Sequence, residues 1–321
     1  MNIRIDDVNK IRLFNSHYKV AQIIDCSTYK RKSFLGEKVD NCRFCGVTKK
    51  AGNFRKDAHV IPAFLGSRFL LSYYECDDCN SHFQKFEDTM ANFLGLYRTA
   101  TSTKGRSIPK FKDTSTGVEA HVEPDGMVNF IIPQLNELED EINQGKVTVT
   151  AKNNPYVPLL LYKLLVKIAL AIAPTNKMLS LGNTSKFLLD KLKLENPDKI
   201  DFFKCCFHFI PGPTIVENPM AVLYERINSD SYIPELLFQL LYKNISFQIF
   251  IPFNEQDSHL NKPNTTLTIP FNPMLISVEH EEEFGPKQFS VMNLNSSVKT
   301  IANDISLTFK FITLERNKNG I

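Results

Sequence analysis

The chain has 321 residues, 43% of them apolar and 23% charged, a composition that excludes a disordered or fibrous protein and leaves room for one or two packed domains. Its net charge of +3 hides an uneven distribution: residues 1–113 carry 20 Lys and Arg against 12 Asp and Glu, a surplus of +8, whereas the remainder carries 18 against 23, or −5. A phosphate-binding face is therefore expected in the first third.

The chain opens with Met1, Asn2, Ile3, Arg4, Ile5 and Asp6 and lacks the apolar core of a signal peptide, so the expected location is the cytoplasm. Residues 1–38, with Ile11, Leu13 and Phe14 and the basic run Lys30, Arg31 and Lys32, read as a lead-in that packs on the unit after it. Residues 41–96 hold two cysteine pairs, Pro62 and Gly66 between them, and a closing amphipathic stretch, which predicts a short hairpin or ribbon followed by a helix. Residues 97–113, rich in Thr, Ser, Lys and Arg, predict an exposed basic connector. Alternating apolar and polar residues at 128–132 and 147–149 predict strands, and a helix is expected over 156–172. The seventeen residues 157–173, with Lys163 and Lys167 among them, make a buried core helix and not a membrane span. Further strands are predicted at 202–210, 220–227, 245–252, 265–269 and 307–312, with a helix around 235–242. The fold class expected is α+β, divided into a motif-bearing unit over 1–113 and an accessory α+β domain over 114–321.

Seven cysteines in a reducing compartment do not suggest a disulfide framework. Four of them, however, form two C-x2-C pairs, Cys42 with Cys45 and Cys76 with Cys79. Two thiolates three positions apart on a tight turn can face one ion, and two such turns complete a tetrahedral shell with Zn–S bonds of about 2.3 Å. Gly46 directly after the first pair allows the turn. Four thiolates leave no open position for water or substrate, so this Zn2+ is expected to hold structure while the chemistry lies nearby. Cys26, Cys205 and Cys206 lack a second pair and read as small buried hydrophobes.

Between the knuckles lies the run Lys56, Asp57, Ala58, His59, Val60, Ile61, Pro62, and the second knuckle continues into Asn80. With these motifs in this order, about 55 residues of the chain resemble the HNH endonuclease superfamily, in the branch whose cysteine pairs bracket an acidic-His-Ile-Ile-Pro motif. The resemblance implies a ββα-metal site and a metal-dependent endonuclease acting on DNA, with RNA not excluded. It implies His59 as the general base, since a neutral imidazole can take a proton from the attacking water. It also implies one divalent cation, Mg2+ or Mn2+, at the scissile phosphate, with Asn80 as its ligand on the helix.

Two departures from the family pattern stand out. Many members carry an acidic residue or a second histidine directly before the catalytic histidine, where this chain has Ala58, with Asp57 one place earlier. Asp57 and His59 are two apart and share a face of a strand, so Asp57 is a candidate metal ligand. A middle Asn is also missing, with Leu71, Ser72, Tyr73 and Tyr74 in its place. On a helix starting near Asn80, Glu87 shares its flank and is a further candidate; His82, on the other flank, ranks behind it.

Phosphate contacts are expected from Lys49, Lys50, Arg55 and Lys56 beside the motif and from Lys104, Arg106, Lys110 and Lys112 on the connector. A rival reading keeps the zinc ribbon as a catalytically degenerate nucleic-acid-binding module, with Ala58 and the missing Asn in its favour. Residues 114–321 leave room for a protein partner or an activating ligand, and the chain for a homodimer. By analogy alone, standalone members with such extensions resemble components of bacterial phage defence or mobile elements.

Overall fold

The structure, a computed structural model, describes residues 5–37, 40–50, 52–103, 108–133, 139–193, 203–228, 232–261, 269–276, 278–300 and 304–310. Helix α1 (Ile5–His17) leads into strand β1 (Tyr18–Asp25), and the short β2 (Ser33–Leu35) and β3 (Leu70–Ser72) flank the region of the first knuckle. Helix α2 (Asp77–Ala100) follows, then β4 (Lys110–Lys112), β5 (Glu119–Val122), β6 (Val128–Ile131), the single turn α3 (Glu139–Asn143) and β7 (Lys146–Lys152). Helices α4 (Pro158–Ile172) and α5 (Gly182–Leu188) precede β8 (Lys204–Phe209), β9 (Val216–Arg226), β10 (Leu236–Lys243), β11 (Ile245–Phe250), β12 (Gln288–Asn293) and β13 (Asp304–Lys310). The result is a mixed helix and sheet architecture.

Its centre is a six-stranded sheet in the order β1-β9-β10-β11-β8-β12, antiparallel throughout. Every residue of β11 is buried and β10 is buried along most of its length, because both faces of these strands are covered. α4 and the second half of α2 pack on one face, where Phe93 and Tyr97 meet Phe207 edge to face. On the other face, Phe14 and Tyr18 join Val222, Tyr224, Leu237 and Phe250.

This sheet crosses residue 113, since β1 pairs with β9 from Tyr18 opposite Arg226 to Asp25 opposite Met220. The lead-in therefore contributes an edge strand to the large sheet. The helix expected around 235–242 is instead β10. Its residues are mostly apolar with no alternation, as expected for a strand covered on both faces, and the buried Gln239 within it is satisfied by Ser246 Oγ and Asn272 O. Of the connector expected at 97–113, residues 97–100 belong to α2, Lys110–Lys112 pairs with β5 in a three-stranded sheet, and 104–107 lie outside the described residues. Of the strand expected at 265–269, residues 265–268 lie outside the described residues, as do 311 and 312 of the one expected at 307–312.

Residues 161–172 of α4 are all buried, Lys163 and Lys167 included. Pro158 occupies the first turn, where its missing N–H costs nothing. No helix among the described residues is long and apolar enough to cross a membrane.

Candidate metal centre and the His59 site

The first knuckle is a tight turn closed by hydrogen bonds from Cys42 N to Val47 O and from Gly46 N to Cys42 O, both 2.8 Å. Gly46 takes a φ of 74°, a left-handed conformation that favours glycine. The second knuckle starts α2: Cys76 is its N-cap, its sulfur accepts from Cys79 N at 3.5 Å, and Asn80 N donates to Cys76 O at 2.9 Å. Asp77 and Asp78 place negative charge at the helix N-terminus, where the backbone dipole favours it.

These turns bring the four sulfurs within 4.8 Å of one another, with Cys42 to Cys79 and Cys45 to Cys76 each at 3.7 Å. A tetrahedron with Zn–S bonds of about 2.3 Å has edges of roughly 3.8 Å, so the donor set fits such an ion. The hydrogen bond with Cys79, outweighing burial, lowers the Cys42 thiol pKa to about 5. Burial pushes Cys76 up to about 12, and Cys79 is driven up by its bond to Cys42 and by burial. A central cation allows all four to ionise together. The four cysteines are thus a cluster able to hold a structural metal such as zinc.

Between the knuckles, His59 forms an antiparallel bridge with Leu71, supported by Val60 N donating to Leu70 O at 3.3 Å and Ser72 N to Ala58 O at 2.8 Å. Strand alternation sends Ala58 and Val60 into the core, at 1% and 0% exposure, and leaves Asp57 and His59 on the outer side. His59 is half-buried. Asp57 is exposed, and both of its carboxylate oxygens accept from Lys32 Nζ at 2.8 Å. Ser72, in place of the middle Asn, is buried, and its hydroxyl oxygen accepts from Tyr74 N at 3.0 Å, a use within the fold.

On α2, Asn80 and Glu87 are both half-buried. Seven residues of helix separate them by about 10.5 Å along the axis, so one ion held directly by Asn80 is a long reach for Glu87. Glu87 lies near enough to Glu75 for its charge to help raise the Glu75 carboxyl. His82 points elsewhere, with Nε2 3.0 Å from Leu188 O and 3.7 Å from an Asp190 carboxylate oxygen.

The basic residues beside the motif are exposed. Lys49 lies over the Phe54 ring at 5.4 Å, Arg55 is 3.8 Å from Asp77, Lys56 donates to Ser81 Oγ at 2.8 Å, and Lys50 is open to solvent. On β4, Lys110 is exposed and Lys112 is paired with Glu119 at 2.5 Å. Lys104 and Arg106 lie outside the described residues.

Three residues that sequence reasoning passed over tie this unit to α4. Lys167 Nζ donates to His59 O at 2.7 Å and pairs with Glu75 at 3.1 Å; both side chains are sealed from solvent, at 1% and 0% exposure. Burial, against the pull of Lys167, raises the Glu75 carboxyl. Arg43, inside the first knuckle, stacks 3.7 Å from the Tyr74 ring centroid and donates through Nη1 to the carbonyls of Leu170, Ala171 and Ala173 at the end of α4. The one available signal was two lysines four apart in an otherwise apolar helix, since buried lysines demand partners.

Residues 42–93, which span both cysteine pairs, His59, Asn80 and Glu87, match the family model of the HNH endonucleases. No curated protein and no solved structure matches the chain.

Proposed function

We propose that the chain is a metal-dependent endonuclease that hydrolyses phosphodiester bonds in DNA with His59 as general base, a reading supported by the match of residues 42–93 to the HNH endonuclease family model, which implies a nuclease-type function. The observation that carries this reading is the matched segment itself, because one stretch of chain contains the cysteine cluster, the bridged His59 and the helix that follows. The bridge of His59 with Leu71 followed by α2 suits a ββα arrangement.

In this reading the cysteine cluster binds zinc and holds the two knuckles, and with them the start of α2, against the His59 strand. His59, on the outer side of its strand, takes the proton from the water that attacks phosphorus. Asn80 stands half-buried in the first turn of α2, and its amide oxygen suits a hard cation. Asp57, released from Lys32, would complete the oxygen donors, with Glu87, about two turns along α2, as the outer candidate. A divalent Mg2+ or Mn2+ held there supplies positive charge to the phosphate and the leaving oxygen. Lys49, Lys50, Arg55, Lys56 and Lys110 form the phosphate-contacting surface, whereas Lys112 is committed to Glu119.

The degenerate binding module retains one supporting observation: Ala58 is 1% exposed, so the position that carries a metal ligand in many relatives faces the core here. The paired variants His59→Ala and Asn80→Ala separate the two readings. His59→Ala is expected to lose about 10² to 10⁴ in cleavage rate at every metal concentration. Asn80→Ala is expected to recover as Mg2+ is raised, because a lost ligand weakens the metal before the chemistry. Equal cleavage by His59→Ala and the wild type overturns the general-base assignment.

A further inference from the structure

Lys167 lies outside the family-matched segment, yet its ammonium reaches through the core to the backbone carbonyl of His59. A carbonyl on the histidine strand has no obligation to find a buried lysine. Placing one there requires an anion as well as the carbonyl, and Glu75, directly before the second knuckle, provides it at 3.1 Å. The ring of Phe83 closes the other side at 5.9 Å, so the ammonium is held between the strand, the knuckle and α2. α4 is itself fixed against the first knuckle by Arg43, whose guanidinium holds the last carbonyls of the helix.

We propose that Lys167 is a positioning residue for His59, and that α4, through the Lys167–Glu75 pair and the Arg43 clamp, is an integral part of the nuclease unit and not an accessory. This inference rests on the nuclease reading for its catalytic consequence, but the positioning of the His59 strand stands on geometry alone. The Nζ to His59 O bond fixes the height of the strand over α2. A shift of the imidazole by about an ångström is enough to spoil its approach to the attacking water. Support of this kind behind an active residue is typically worth about 10- to 100-fold in activity.

The full-length double variant Glu75→Gln with Lys167→Met tests this, because it removes both buried charges together and leaves neither stranded. Lys163→Met is the control: Lys163 is buried on the same helix but pairs with Asp190, away from His59. Cleavage of plasmid DNA gives kcat and KM, and amide hydrogen exchange at Val60 and Ser72, the two bonds of the His59 bridge, reports the strand without needing cleavage. The expected result for the double variant is a kcat lowered about 10- to 100-fold with KM and zinc content unchanged, and exchange at Val60 and Ser72 accelerated more than along α2. Lys163→Met should keep kcat. The proposal is overturned if the double variant keeps its kcat, if it loses zinc or exchanges faster throughout, or if Lys163→Met loses kcat equally. A wild type that never cuts DNA, with selective loss of protection in the double variant, overturns the nuclease reading while the positioning of the His59 strand stands.

Discussion

Replacing Arg43 with Ala should loosen α4 from the first knuckle, and its cost can be worked from the contacts. Nη1 faces the carbonyls of Leu170, Ala171 and Ala173 at 2.9, 3.1 and 2.8 Å, but its two protons make only two good bonds at a time. Charge-assisted bonds are worth roughly 1.5–3 kcal/mol each. A groove of about 790 Å³ opens beside Arg43, lined by Tyr74, Ser185 and Lys186 among others, so water can reach the freed carbonyls and the lower end of that range applies. Stacking over Tyr74 at 3.7 Å adds about 0.5–1 kcal/mol. The total is about 3.5–4 kcal/mol, which corresponds to roughly 5–6 °C in Tm for a chain of this length. Thermal unfolding of the wild type, Arg43→Ala and Arg43→Lys measures it. Arg43→Lys should recover less than half, because an ammonium cannot stack as a plane while donating to several carbonyls. A Tm for Arg43→Ala within 1 °C of wild type, with zinc retained, would refute the clamp.

Three other outcomes follow from the same structure. The purified protein should carry about one zinc per chain, and Cys42→Ser should lose it and unfold the knuckles, since structural zinc supplies on the order of 10 kcal/mol in small domains; metal analysis of the folded protein checks this. Gly95→Ala should cost about 1–3 kcal/mol in denaturant unfolding, because Gly95 sits at φ 26° within α2 and an added Cβ would lie 2.6 Å from Asn153 Oδ1. Asp113 is buried, but bonds from Lys152 N, Ser115 and Thr116 outweigh the burial and hold its carboxyl well below the usual carboxylate range. A depressed folded-state pKa gives stability that is present above about pH 4 and lost as pH falls below it, so Asp113→Asn should flatten that part of the acid-unfolding profile, as urea titrations from pH 3 to 7 would show.

The elements that were legible in the sequence carry their signal locally. The two C-x2-C spacings placed the sulfur cluster, and the closing amphipathic stretch of residues 41–96 placed the first part of α2, whose buried face holds Phe83, Phe86, Met90, Phe93 and Leu94. The helix expected at 156–172 is α4, and the alternation around 128–132 and 147–149 marked β6 and β7. What was missed depends on distant partners. β10 read as a helix because a strand covered on both faces has no alternation to reveal it. β1 read as a lead-in because nothing in residues 18–25 announces a partner some two hundred residues later. Lys167 argued against a membrane span, but neither Glu75 nor the His59 carbonyl is near it in the chain. The spacing of Asn80 and Glu87 suggested a shared ligand set, whereas the helical rise keeps them about two turns apart.

Plasmid nicking by the purified, zinc-loaded protein decides whether this chain cuts DNA with a divalent metal and His59. The expected result is conversion of supercoiled to open-circular DNA in Mg2+ or Mn2+, arrest on chelation under conditions that leave the zinc in place, and loss of nicking in His59→Ala. DNA that is bound but never nicked with either metal would contradict it and leave the degenerate binding module, with Ala58 turned into the core, as the better description.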